Sequence, residues 1–456
     1  LFEGEFVPET GAPEDIVGVL PVSVGAHRRE WLVSWPSTTI GIRPGTFIGV
    51  VTPRNTHAAF DEVVEGEPAN VEVRLLRTEI DSFDPPAASR GEIMNVVGRG
   101  FIPANPEAEQ SMIFVLDGMF TTRGGTTIDF SGDAAVQLAP ETVPHHTEAR
   151  LVLRTQTLDQ GGRPDLTGLT ARPGTFQGTI TPVLISGTTT VLGQPFRGTL
   201  GIAPTRQYVF VRFLPGFSET LGDYGLRNME SEIRERIFAT LARDYEGVNI
   251  EFSSERPDDF VEYSIIEVGG PDPNGAGLFG LDNSAGKDTG NIRLNDIVGS
   301  ENAESGDQGF YVFGGVFIES FRTFSPTLDR NSDIASARFD DVFSPFMPVL
   351  GGTPVDASEY PDGERAELID MAVHVMGSVC GNTITHEIGH SLGMSFFQED
   401  LIGQGQRFHN DFDEDGAIMD AGGNRSFEER AEIDGAPTPH FNARNSEYLQ
   451  TILPLE

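Results

Sequence analysis

Near its C-terminal end the chain reads Thr383-Ile384-Thr385-His386-Glu387-Ile388-Gly389-His390-Ser391-Leu392-Gly393. Two histidines at this spacing on an α-helix lie about 40° apart around the axis and about 6 Å apart along it, so both imidazoles reach one ion. This is a zinc-binding spacing. Glu387 is turned about 100° from His386, beside such an ion but not ligating it, where it is a candidate general base. The competing reading is a surface helix with solvated histidines, and the preceding residues argue against it. Ile369 to Asn382 has no proline and carries Met371, Ala372, Val373, Val375, Met376, Val379 and Cys380, the pattern of a mostly buried helix that delivers the histidines into a core. Gly393 follows where a left-handed residue ends a helix and turns the chain back.

Downstream, Gly416-Ala417-Ile418-Met419-Asp420 looks like a Met-turn, in which a methionine packs beneath a zinc site. HEIGHSLG followed by AIMD resembles the metzincin clan of zinc metallopeptidases. In that pattern a third histidine follows the glycine at a position held here by Phe396. Met394 to Arg407 reads as an insertion, after which Phe408-His409-Asn410-Asp411 resembles the usual sequence following the helix. The resemblance therefore carries the third-ligand role to His409. Asp411 is the alternative, since some relatives use an aspartate, and an incomplete or inactive site is the remaining one. Some metzincins place a tyrosine two residues after the methionine; Ala421 stands there, so tyrosine-assisted oxyanion stabilisation is not expected.

The resemblance extends over the C-terminal half. Gln207 to Leu214 predicts a strand; Ile233, Ile237, Leu241 and Tyr245 recur at helical spacing; Val248 to Phe252 and Tyr263 to Val268 predict further strands. Strand, helix, strand, strand and a long metal-binding helix is the metzincin order. Asp282 to Asp296, rich in Gly and Asn, is expected to contain the sheet's edge, where the resemblance implies that a polypeptide substrate is held by strand addition. Arg322 to Arg365 is long and aperiodic, either a flap or packed insertion near a cleft or a peripheral decoration. Phe441 to Leu453 predicts a closing helix, and His374 and His440 are read as structural. Asp411, Asp413 and Asp415 before Gly416 resemble the first half of a calcium loop, but Gly422 stands where that loop needs a bidentate glutamate. A complete EF-hand is excluded, leaving calcium with other ligands or a solvated acidic turn.

The first two hundred residues hold short alternating runs broken by Gly, Pro, Asn and Asp, among them Trp31 to Trp35, Val71 to Leu76, Met112 to Leu116 and Ala149 to Leu153, the signature of all-β sandwiches. Arg43-Pro44-Gly45-Thr46-Phe47-Ile48-Gly49 recurs as Arg172-Pro173-Gly174-Thr175-Phe176-Gln177-Gly178, and Leu1 to Phe6 echoes Val115 to Phe120. Two homologous modules account for this, with Asp81 to Pro86 as the junction and Gly91 to Phe101 resembling the opening strands of an immunoglobulin-like TIG module. Their expected role is to bind a substrate or surface, or to act as spacers. His27, His57 and the His145-His146 pair lie here, the pair read as exposed because adjacent residues on a strand face opposite ways.

The expected architecture is multidomain: a β-sandwich module over 1–86, a homologous one over 87–204, and an α+β metzincin-like zinc metallopeptidase domain over 205–456. The resemblance implies a secreted zinc endopeptidase, with zinc on His386, His390 and His409, Glu387 as general base and Met419 in the Met-turn. Calcium is a second candidate cofactor. The alternative is a non-catalytic, metal-containing binding or adhesion protein on the same scaffold. Thirty-one Lys plus Arg against 69 Asp plus Glu give a net charge of −38, which disfavours nucleic acid and anionic membranes as partners. The acids are scattered, the pattern of a solubilising exterior. The single cysteine, Cys380, allows no intrachain disulfide and is read as a buried apolar residue. No run reaches the length of a membrane span, and Leu1-Phe2-Glu3 carries no basic n-region, so the start reads as processed.

Overall fold

The computed structural model describes residues 1–19, 22–24, 31–33, 42–57, 62–154, 169, 172–284, 287–299, 312–395 and 408–455. His27, Trp35 and most of the expected Met394 to Arg407 insertion lie outside them. The chain divides into two compact units. One gathers Leu1–Ala88 and most of the chain from Ile93 to Ala203; the other gathers Ser89–Glu92 and Pro204–Glu456.

In the first unit the sequence repeat is one strand pairing made twice. Phe2–Pro8 runs antiparallel to Gly45–Val51, with Gly4 opposite Gly49 and Phe6 opposite Phe47. Gln110–Thr122 runs antiparallel to Gly174–Ser186, with Gly118 opposite Gly178 and Phe120 opposite Phe176. The glycine pairs are obligatory because an aromatic ring lies across each. A Cβ on Gly49 would sit 2.7 Å from Phe47 Cζ, and one on Gly178 2.9 Å from Phe176 Cζ. The first pair belongs to a four-stranded antiparallel sheet ordered Glu14–Gly18, Phe2–Pro8, Gly45–Val51, Ala69–Leu75, whose alternation buries Phe2, Phe6, Ile16 and Phe47 together. The second pair centres a larger sheet flanked by Phe196–Ile202 and Thr127–Asp129. Phe114, Phe120, Phe176 and Leu200 from this sheet share a core with Ile80, Phe83, Val96 and Leu151 from a sheet of Thr142–His145, Glu148–Val152, Ile93–Arg99 and Glu79–Asp84. Two antiparallel sheets over one core form a sandwich. Asp81 to Pro86, expected as a junction, is largely strand: Glu79–Asp84 pairs with Ile93–Arg99 and buries Ile80 and Phe83. Pro85 and Pro86 cut the alternation short, which hid it.

The second unit is built on a mixed sheet of β1 (Gln207–Phe213), β2 (Ile250–Ser253), β3 (Ser264–Gly269), β4 (Gly280–Leu281), β5 (Ile297–Val298) and β6 (Gly315–Phe317). Its order is β2-β1-β3-β6-β4, with β5 also on β3. All pairings are parallel except the last, where β4 runs antiparallel to β6 at the sheet's edge. Parallel strands are covered on both faces, and β1 accordingly reads as an unbroken apolar run with Tyr208, Val209, Phe210 and Val211 buried. The edge strand precedes the expected Asp282 to Asp296 stretch, because Gly280-Leu281 is too short to show any alternation.

Six helices are labelled in this unit: α1 (Pro215–Asp223), α2 (Glu230–Asp244), α3 (Ala337–Phe343), α4 (Ala366–Ser391), α5 (Phe427–Ala431) and α6 (Ala443–Ile452). The 26-residue α4 is buried at every position from Val375 to Ser391. Its polar side chains are satisfied locally: Thr383 and Thr385 hydroxyls donate to Val379 O and Gly381 O, and the Asn382 amide donates to Ser378 O and Arg430 O. Gly393, at φ 87°, ends the helix as expected. Residues 322–365 are a packed insertion, not a flap: Phe324, Phe339, Phe343, Phe346 and Met347 enter the unit's core, and their short helical turns explain the missing periodicity. Among the described residues no helix is long and apolar enough to cross a membrane.

Helix α2 meets α4 at two glycines. A Cβ on Gly377 would lie 2.5 Å from Arg236 Cβ, and one on Gly381 2.7 Å from Thr240 Cβ. We expect Gly381→Val to cost about 1–3 kcal/mol through overpacking. The six α-helices among the described residues lie in this unit, whereas neither tryptophan of the chain, Trp31 or Trp35, falls within its 204–456 range. The variant should therefore lower the denaturation midpoint read by helical circular dichroism and leave the one read by tryptophan emission unchanged.

Candidate metal centre

Burial of α4 fixes where its histidines point and which tautomer they hold. His386 Nδ1 donates to Ile418 O at 2.6 Å, and His390 Nδ1 approaches Met394 O at 3.4 Å. With Nδ1 protonated toward a carbonyl, each Nε2 is the lone-pair nitrogen. The two Nε2 atoms face one another at 3.1 Å. Two lone pairs at this distance cannot hydrogen-bond, and a cation between them removes the conflict. Nitrogens on a tetrahedral zinc with bonds of about 2.0–2.1 Å stand about 3.3 Å apart, close to what the fold imposes.

His409 closes the third side. Its ring centroid lies 5.4 Å from that of His386 and 5.1 Å from that of His390, and one nitrogen from each of the three falls within 4.8 Å of the others. The group can hold a metal ion. Burial pushes His386 well below the ordinary imidazole range, His390 to about 3 and His409 also downward, with the neighbouring imidazoles adding to the shift of the first two. All three are neutral at neutral pH, the form a metal requires.

The placement of His409 depends on its neighbour Asn410. The Asn410 backbone N–H donates to Met419 O at 2.9 Å, and its side-chain amide donates to Asp420 Oδ1 at 2.6 Å. Asp420 Oδ2 accepts the Glu414 N–H, while Ser395 Oγ and Asn445 Nδ2 donate to Asn410 Oδ1. Residues 410 and 420 thus tie the segment carrying His409 to the turn containing Met419. Met419 is fully buried, and a Cβ on Gly389 would lie 2.4 Å from its sulfur. Sequence reasoning named Met419 but missed Asn410 and Asp420, whose partners are distant in the chain.

Glu387 projects beside the triad and is not one of its members. Its carboxyl fills the space over Gly280, where a Cβ would come within 2.5 Å of Oε1, and it accepts the backbone N–H of Asp282. Burial pushes Glu387 up to about 8, and the nearby Asp282 carboxylate adds to this, opposed by that hydrogen bond and by Arg430. A proton acceptor with a raised pKa is matched to proton transfer near neutral pH. Glu387 and the triad open onto a cavity of about 770 Å³, with β4 as one wall and Thr383, Gly422, Gly423 and Arg430 on another side. Among the described residues no tyrosine lines it.

The other expected positions fall elsewhere. Asp411, Asp413 and Asp415 are exposed, and among the described residues none joins a group able to hold an ion. All of 411–415 is exposed, whereas Asp420 at the end of the same turn is buried. His145 and His146 are exposed on their hairpin, with ring centroids 4.1 Å apart. His374 contacts Glu432 O and His440 contacts Thr438 O, as structural histidines do. Cys380 is fully buried, and burial raises its thiol pKa. The chain matches no family model and no curated protein.

Removing one of three neutral ligands leaves a pair that binds weakly. We expect His409→Ala to lose most of the zinc that the wild-type chain retains through dialysis, and Asp411→Ala to keep it, both read as bound zinc per chain by elemental analysis.

Proposed function

We propose that this chain is a zinc-dependent endopeptidase of metzincin type, acting outside the cell, with its N-terminal β modules as accessory domains. The observation that carries this reading is the carboxyl of Glu387, held beside three converging imidazoles in a cavity walled by an antiparallel edge strand. Zinc fits the donor set: three neutral nitrogens leave the ion its full charge and an open position, and when bound it supplies Lewis-acid polarisation of a carbonyl and activation of water.

The remaining chemistry belongs to the protein. Strand β4 is paired on one side by β6 and borders the cavity, so an extended polypeptide adds to the sheet there by main-chain hydrogen bonds. This orients a peptide carbonyl toward the triad and independently of sequence. Glu387 accepts the proton of the attacking water and returns it to the leaving amine. The Asp282 N–H and the Gly280 backbone hold the carboxyl in position for both transfers. Extracellular residence rests on the scattered acidic exterior implied by the net charge of −38.

The expected result is cleavage of an unfolded protein substrate that chelator abolishes and zinc restores. Glu387→Ala should retain zinc and lose hydrolysis by about two to four orders of magnitude, the usual contribution of a positioned base. Substantial turnover by that variant would remove Glu387 from the mechanism, and no hydrolysis by the zinc-loaded wild type would leave a metal-containing binding protein as the function.

A further inference from the structure

One wall of the cavity carries a buried charge that the chemistry above does not use. Arg430, on α5, is 4% exposed and lines the cavity beside Gly422 and Gly423. Its Nη2 donates to Gly422 O at 3.0 Å, its guanidinium carbon lies 5.5 Å from the centre of the Phe279 ring, and its Nε has no partner. Among the described residues no carboxylate forms an ion pair with it. The adjacent Glu429 is taken by Arg425, whose Nε donates to Glu429 Oε1 at 2.6 Å. Residues 425–430 therefore hold two buried guanidiniums and one buried carboxylate. Burial and the Arg425 charge together push Arg430 down to about 9, with Glu429 and Glu387 acting in the opposite direction. A buried cation left in this state is stabilised by whatever anion reaches it.

Access to that anion is provided by the glycines. A Cβ on Gly422 would already touch Arg430 Nη2 at 3.4 Å, and beyond Gly423 there is nothing within 4 Å. Nε is fully enclosed, so the hydrogens left for an incoming group are those of Nη1 and the second one of Nη2, the end-on edge of the guanidinium, which matches two coplanar oxygens. Asp282 and Glu387, also lining the cavity, disfavour a more highly charged anion.

We propose that Arg430 is a specificity-determining residue that binds a carboxylate of the polypeptide in this cavity. The inference rests on the peptidase reading, and the carboxylate is supplied either by an Asp or Glu side chain or by the C-terminus of the substrate.

The test uses the full-length, zinc-loaded chain and quenched-fluorescence peptides that differ at one position at a time on either side of the cleaved bond. Asp and Glu are compared with Asn and Gln in C-terminally amidated peptides, and a second series ends in a free carboxylate at each position. At one position kcat/KM should be at least about tenfold higher for the acid than for its amide, the value of one charge-assisted hydrogen-bond pair. Preference in the amidated series assigns a side chain, and preference confined to free-ended peptides assigns the C-terminus. The ratio should fall toward unity in Arg430→Met and be partly kept in Arg430→Lys. Equal rates for acid and amide in the wild type overturn the proposal without any variant, as does an Arg430→Met variant that slows every peptide equally with the ratio intact. If no peptide is cleaved, the peptidase reading fails, and fluorescence anisotropy of labelled Asp and Asn peptides on zinc-loaded Glu387→Gln decides the inference alone. Tighter binding of the acid, lost in the added Arg430→Met change, supports it; equal binding overturns it.

Discussion

The second unit depends on two imidazole nitrogens being forced to face each other with their lone pairs inward. That geometry is costly in the absence of a cation, and several elements sustain it. The Ile418 carbonyl holds the His386 tautomer, α4 is buried at every position from Val375 to Ser391, and the glycines at 377 and 381 let α2 press close against its back. The turn carrying Met419 abuts Gly389 so tightly that no side chain fits there. Each constraint acts on the same short stretch of helix. The site is rigid because its surroundings leave α4 no alternative position.

The same burial acts oppositely on the two kinds of titratable group. It disfavours the charged form of both, so the imidazoles are held neutral and the carboxyl of Glu387 is pushed toward neutrality. One low-dielectric pocket thus keeps the three imidazoles in the form able to hold a metal ion and raises the proton affinity of the carboxyl beside them. Arg430 experiences the same environment without a full counter-charge, which is why its wall of the cavity selects for an anion.

Local patterns in the sequence disclose the helix, its two histidines, the glutamate between them, the terminating glycine and the repeated segment. These are periodic or short-range features, and each is written within a few residues. His409 was legible only through resemblance, since nothing adjacent to it signals a ligand; the Asn410 and Asp420 hydrogen bonds that place it span parts of the chain with no common motif. The edge strand Gly280-Leu281 is not legible because two residues carry no alternation, and Asp81 to Pro86 reads as a junction because its prolines end the alternation of Glu79–Asp84. Arg430 sits in the ordinary helical sequence Phe427-Glu428-Glu429-Arg430-Ala431. Its importance arises from what packs around it, which composition and periodicity do not encode. Asp411, Asp413 and Asp415 show the converse, a suggestive pattern that the fold turns outward.

The claim on which the rest hangs is that His386, His390 and His409 together hold one zinc ion. Anomalous diffraction measured on either side of the zinc absorption edge, from crystals of the chain purified without added chelator, addresses it directly. The expected result is a single strong peak about 2.0–2.1 Å from one nitrogen of each of the three imidazoles, with Glu387 near it but not bonded. A map with no peak there, or a peak bonded to Asp411 in place of His409, would contradict it.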